Sequence, residues 1–203
     1  MAKRELIKYP ETKSDPLCKW RNASIETVVE LVHALPKKHM SKDDFRFYMS
    51  DNYGGAFFRT PYQLALQLAL YYEDDSNYYP RFDHDITEDE ALAYMHKWMQ
   101  RYYVPNPFTK KGFLTVDPPV NLLYGLVDYL ENHPNKPNLE TAGAALFGGI
   151  MGNILCVKYV LNNYSGIIEV DSNNDMKLLL DKEGEVFVDN SRYDKKAFFE
   201  HFK

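Results

Sequence analysis

Residues 24–70 read SIETVVELVHALPKKHMSKDDFRFYMSDNYGGAFFRTPYQLALQLAL. The Ser24 hydroxyl can cap a helix, with Glu26 and Thr27 in the first turn. Ile25, Val28, Val29, Val32 and Leu35 recur at helical spacing, and Pro36 stops the run. A second helix is expected from Ser41-Lys42-Asp43-Asp44, with Phe45, Tyr48 and Met49 on one face and Gly54-Gly55 at its end. Thr60 and Pro61 then make an N-cap followed by proline at the first helical position. This third helix carries Leu64, Leu66, Leu68 and Leu70 and is expected to run into Tyr71 and Tyr72. Three helices with short connections and a polar start to the third follow a helix-turn-helix order.

Beyond this stretch, residues 73–85 (EDDSNYYPRFDHD) read as a long polar and aromatic loop. Thr87-Glu88-Asp89-Glu90 is a capping box opening a fourth helix, whose apolar positions run from Leu92 to Tyr102. Pro105, Pro107, Lys110-Lys111-Gly112 and Pro118-Pro119 read as a linker and the domain boundary. The second half repeats the pattern. Helices are expected over Val120 to Asn132, over Leu139 to Phe147 and after Gly152-Asn153. The β-like runs Gly166 to Val170, Met176 to Leu180 and Glu185 to Val188 follow, separated by SNND and DKEG turns. Helices followed by a β-hairpin give the order of a winged helix. A last short helix is expected in the tail RYDKKAFFEHF.

The expected fold is therefore mainly α with small β-hairpins, as two winged-helix-like modules with an N-terminal arm. The arm is 1–22, the first module 23–104, the Pro-rich linker 105–119 and the second module 120–203. In the arm, Lys3, Arg4, Lys8, Lys13, Lys19 and Arg21 oppose only Glu5, Glu11 and Asp15, and Pro10 and Pro16 break any helix. Trp20, set between two bases, suits an arm that lies on an anionic partner.

Composition narrows the function classes. A hydrophobic content of 45% excludes a mainly disordered chain. A net charge of -5 excludes a uniformly basic nucleic-acid coat, so any basic surface must be local. Two distant cysteines, Cys18 and Cys156, exclude a disulfide framework and fit a reducing, cytoplasmic setting. The N-terminus has no apolar segment of a secretory signal. Residues 142–161 are largely apolar, but Asn153, Lys158 and four glycines make them core helices rather than a membrane span.

The chemistry-bearing motifs are few. The six histidines show no HxH or HxxxH spacing, so no metal site is expected. Gly-x-Ser-x-Gly is absent, and Gly148-Gly149-Ile150-Met151-Gly152 lacks the lysine and the preceding strand of a phosphate loop. Asp171 and Asp175-Met176-Lys177 resemble a nuclease acid set in form, but both fall around one hairpin turn. No catalytic residue and no cofactor are expected.

What remains is basic and aromatic interleaving. On the third helix, Arg59, Thr60, Tyr62, Gln63 and Gln67 suit contacts with phosphates and base edges, because Arg and Gln offer bidentate groups. With Arg81 and with Lys3, Arg4, Lys8, Lys19, Trp20 and Arg21 of the arm, they form the candidate DNA-binding set.

One resemblance is carried by Arg59-Thr60, the apolar helix to Leu70, Tyr72-Glu73-Asp74-Asp75, Pro80, Arg81 and the later Pro105-Asn106. This pattern resembles the DNA-recognition domain of the BpuJI type of modular restriction endonuclease. In that family, tandem winged-helix subdomains and an N-terminal arm read the site, and a separate nuclease domain cuts. The resemblance covers about 50 residues. It implies sequence-specific recognition of double-stranded DNA, as the recognition part of a restriction endonuclease or related defence protein. Cleavage would belong to a separate nuclease domain or subunit, because no nuclease motif is found in this chain. Arg59, Thr60 and Arg81 match motif positions, whereas the arm bases match in location only. The alternative is a helical protein–protein interaction module, favoured by net acidity, the tyrosines and the YYEDDSNYY segment.

Overall fold

The computed structural model describes residues 23–56, 60–109, 118–147, 154–188 and 194–203. The chain divides into two compact units, one reaching to Leu92 and the other formed by Ala93–Phe202.

The first unit opens with α1 (Ile25–Ala34), capped by Ser24, whose Oγ accepts from the Thr27 amide at 3.3 Å. Val28, Leu31 and Val32 form its buried stripe. The short strand β1 (Met40–Ser41) leads directly into α2 (Lys42–Tyr53). Ser41 caps α2 by accepting from the Asp44 amide at 3.1 Å, and Phe45, Met49 and Tyr53, spaced by four, point inward. The helix ends at Gly54, whose φ of 65° and ψ of -163° suit only glycine.

After α3 (Thr60–Gln67) the structure departs from the expected reading. The helix does not run into Tyr71 and Tyr72. Ala69 takes a left-handed φ of 52°, and the chain turns into β2 (Tyr71–Glu73). Part of the expected loop is β3 (Asn77–Pro80), which pairs antiparallel with β2 and with β1. The sheet order is β1-β3-β2. Asp74 closes the β2–β3 turn, its Oδ1 accepting from the Ser76 and Asn77 amides at 2.8 and 2.7 Å. Those two amides hold its carboxyl below the ordinary range.

The period of two in the strands sends Tyr71, Glu73 and Tyr78 inward. The Phe45 ring stacks on Tyr78 at 4.2 Å and tilts against Tyr71 at 5.4 Å. The Tyr78 hydroxyl donates to the Pro36 carbonyl at 2.8 Å, which satisfies a polar tip inside an apolar core.

The unit division falls within α4 (Glu88–Arg101), well before the expected linker. The physical reason lies in residues 100–109, which pack into the second unit. Strand β4 (Tyr103–Val104) pairs with β5 (Val120–Asn121). Asn121 donates to the Gln100 carbonyl at 2.7 Å while capping α5 (Leu122–Asn132) through the Tyr124 amide at 3.0 Å. Asn106 is buried, its amide group donating to the Tyr102 hydroxyl and the Tyr103 carbonyl. Within the expected linker 105–119, Pro105, Asn106 and Thr109 are buried, and residues 110–117 lie outside the described residues.

The rest of the second unit is α6 (Leu139–Phe147), α7 (Ile154–Val160) with a π-turn at Leu161–Ser165, the hairpin β6 (Ile168–Val170) and β7 (Met176–Leu178), and α8 (Lys195–His201). The hairpin is shorter than the expected β-like runs. Residues 185–188 contribute an isolated bridge between Phe187 and Val120 rather than a third strand. Asp194 caps α8 through the Ala197 amide at 2.8 Å. Phe198 of α8 meets Tyr103, Phe108 and Phe202 at ring distances of 5.0–5.5 Å, forming an aromatic core. Among the described residues, no helix is long and apolar enough to cross a membrane.

Candidate nucleic-acid interface

The candidate surface is the first turn of α3 with the elements that hold it. Lys3, Arg4, Lys8, Lys19, Trp20, Arg21 and Arg59 lie outside the described residues. Thr60 begins α3. Gln63 is exposed. In this turn Pro61 is buried and Tyr62 half-buried, so Gln63 is the side chain that it exposes among the described residues.

Tyr62 is half-buried and donates its hydroxyl to Glu73 Oε1 at 2.5 Å. This bond ties the first turn of α3 to β2. Burial, then the hydrogen bond and the charge of Glu73, push the Tyr62 phenol well above its ordinary range, and Arg46 opposes them. Tyr62 is therefore a neutral donor at any working pH. Glu73 is only 7% exposed, and its Oε2 has no hydrogen-bond partner. A buried carboxylate satisfied on one side depends heavily on its single donor. Sequence reasoning missed Glu73 as a positioning group. Its signal is the inward register of β2, at the edge of a stretch whose composition reads as loop.

Two expected contact residues change role. Gln67 is 2% exposed, so its amide lies in the interior and does not reach a base edge from this conformation. Helical spacing placed it one turn after Gln63, but residues 64–71 are buried all round. Arg81 is half-buried, with its Nε donating to the Ala69 carbonyl at 3.1 Å and its own amide to Leu70 O at 2.9 Å. It secures the left-handed exit of α3. The structure thus brings Tyr62 and Gln63 to one end of α3 and Arg81 to the other.

The charges around this surface are mostly acidic. Between residues 23 and 92 the sequence holds Lys37, Lys38, Lys42, Arg46, Arg59 and Arg81 against thirteen Asp and Glu. Lys37 bridges Asp85 at 2.9 Å and donates to Leu35 O, while Lys42 donates to the Asp74 carbonyl at 3.0 Å. The loop histidine His84 sits between Asp83 at 2.7 Å and Glu90 at 3.1 Å. Those two hydrogen bonds raise its pKa above the ordinary imidazole value. Glu90 also closes the expected capping box, accepting from the Thr87 amide at 2.8 Å.

In the second unit, Asp171 Oδ1 accepts from the Asn173 and Asp175 amides at 2.8 and 2.9 Å. It is a turn residue of the β6–β7 hairpin. Among the described residues, no group of three His, Cys, Asp or Glu side chains is placed to hold a metal ion. No known protein family, curated protein or solved structure matches this chain.

Proposed function

We propose that this chain recognises double-stranded DNA in a sequence-specific manner, as the recognition part of a restriction endonuclease or related defence protein. The observation that carries this reading is the order α1-β1-α2-α3-β2-β3 with sheet order β1-β3-β2. This order supports a winged-helix reading, in which α3 would be the recognition helix and the β2–β3 turn the wing. The first turn of α3 would enter the major groove with Arg59, Thr60 and Gln63, held at its angle by the Tyr62–Glu73 bond. The basic arm would follow phosphates or the minor groove. The second unit offers a related run, with β5 leading into α5 as β1 leads into α2, and a hairpin after its helices. Bond cleavage is assigned to a separate nuclease domain or subunit.

The test is selection of a preferred duplex from a random library, followed by comparison of Arg59→Ala with the wild type. A loss concentrated on the selected site supports base reading by α3. Equal losses on selected and random duplexes refute that role.

A second reading is favoured by the charge distribution. Thirteen acids against six bases in residues 23–92, and an Asp74-Asp75 turn where the wing would approach DNA, suit a protein partner. A cationic protein that binds this unit while duplex DNA does not would favour that reading.

A further inference from the structure

The three-stranded sheet of the first unit buries Tyr71, Glu73 and Tyr78 on the side that meets α2 and α3. Tyr72 and Tyr79 alternate with them on the opposite face, where both are half-buried. These two tyrosines are paired across β2 and β3, with ring centroids 5.5 Å apart and planes 21° from parallel. The exposed His39, next to β1, extends the row, its ring centroid 4.8 Å from that of Tyr79. Three rings thus cross the sheet on the side away from the helices.

One end of this row is acidic. The β2–β3 turn brings Asp74 and the exposed Asp75 to it. Partial desolvation, then the charge and hydrogen bond of Asp74, raise the Tyr79 phenol above its ordinary range. The carboxylate is therefore close enough to act on the ring's polar tip. Lys42 reaches the same turn, where its amine is held by the Asp74 carbonyl at 3.0 Å. Across residues 23–92 acids outnumber bases thirteen to six, so the unit that carries the row is negative as a whole.

The same chain carries the complement. Residues 1–22, which lie outside the described residues, hold six bases against three acids, with Leu6, Ile7, Tyr9 and Pro10 set among Arg4, Lys8 and Lys13. Tyrosine rows accept further rings and the faces of cations, and nearby carboxylates favour the cations. Length permits the contact. The fourteen residue steps from Tyr9 to Ala23 extend to about 48 Å, whereas residues 23–92 form a body of about 11 Å radius of gyration. We infer that the arm, residues 1–22, docks on the outer face of the β1-β3-β2 sheet of its own chain, with Lys8-Tyr9-Pro10 on the ring row and the neighbouring bases toward Asp74 and Asp75. A docked arm is withheld from phosphates, so under the DNA reading the contact is autoinhibitory. That consequence rests on the DNA reading, whereas the docking does not.

The test is trypsin cleavage of the full chain without DNA, read by mass spectrometry at the Lys8–Tyr9 and Lys13–Ser14 bonds, beside a synthetic peptide of residues 1–22. The tether holds the arm at an effective concentration of about 1 mM, so a contact with an intrinsic Kd of about 0.1 mM keeps it docked about nine-tenths of the time. Cleavage in the full chain should then be about tenfold slower than in the peptide at about 0.05 M salt, and should approach the peptide rate at about 0.5 M. The pair Tyr72→Thr and Tyr79→Thr removes the rings but keeps strand-forming side chains. Asp75→Lys reverses the charge of an exposed turn residue and leaves the Asp74 amide bonds in place. With the fold verified by circular dichroism, both variants should bring cleavage close to the peptide rate. A wild-type arm cut as fast as the peptide would overturn the proposal, as would protection unchanged in either variant. An equal loss of protection in Asp51→Lys, on the exposed side of α2, would also overturn it, by making the attraction a property of overall acidity. Protection that rises with protein concentration would place the arm on a second copy and refute docking within one chain.

Discussion

Replacing Tyr62 by phenylalanine removes one oxygen and tests how α3 is held to β2. In the wild type, the Tyr62 hydroxyl is the donor to Glu73 Oε1 at 2.5 Å, and Oε2 is already without a partner. Tyr62→Phe leaves the carboxylate, 7% exposed, with no hydrogen bond on either oxygen. A hydrogen bond to a charged group contributes about 1.5–3 kcal/mol, and leaving such a group unsatisfied adds to that loss. The expected destabilisation is about 2–4 kcal/mol. Glu73→Leu leaves a half-buried tyrosine hydroxyl, which costs about 1–2 kcal/mol. The double variant removes donor and acceptor together and should lie within about 1 kcal/mol of the wild type, because nothing polar is then stranded. Urea denaturation of the three variants gives the coupling energy directly. Additive single effects would refute this reasoning, since they would mean that the two groups do not depend on each other.

Further outcomes follow from the same geometry. His84 has a raised pKa between Asp83 and Glu90, so its contribution to stability is fully present below about pH 6.5, the unfolded value. That contribution is lost as pH rises through the folded value. His84→Gln should remove this part of the pH dependence of the urea midpoint between pH 5.5 and 8, and an unchanged profile would exclude His84 as its source. The exposed Gln63 and the buried Gln67 should separate binding from stability. Gln63→Ala should weaken site-specific duplex binding by about 1–3 kcal/mol, if it contacts a base, with an unchanged urea midpoint. Gln67→Ala should lower the midpoint by about 1–3 kcal/mol of stability while sparing the specificity ratio, and the reverse pattern would place Gln67 at the interface.

Much of the helical half of the fold was legible in the sequence, because its signals are local. Ser24, Ser41 and the Thr87–Glu90 box are short-range devices, and each caps the helix it announces. The end of α3 was not legible. Leu64, Leu66, Leu68 and Leu70 are all buried, as are the residues between them, so the segment carries no amphipathic period to mark where helix gives way to strand. The β2–β3 hairpin was hidden for a related reason. The tyrosines favour strands, but the Asp, Ser and Asn between them read as loop, and the turn is built by Asp74 accepting from the Ser76 and Asn77 amides rather than by a glycine. Pro105 and Pro107 suggested a linker by composition, yet Asn106 hydrogen-bonds into the core beside them. The Tyr62–Glu73 pair was out of reach before the hairpin was known, since its partners are eleven residues apart and meet only when β2 lies against α3.

The most direct test of the central claim is fluorescence anisotropy of the full chain with duplex DNA across a salt series. The arm bases and Arg59 offer enough cations for about four to seven phosphate contacts, which predicts a log–log slope of about -4 to -6. A linear fall of that size, with a selected duplex bound more tightly than random sequence, is the result the account predicts. Absence of binding to any duplex at 20 mM salt, with a cationic protein bound under the same conditions, would contradict it.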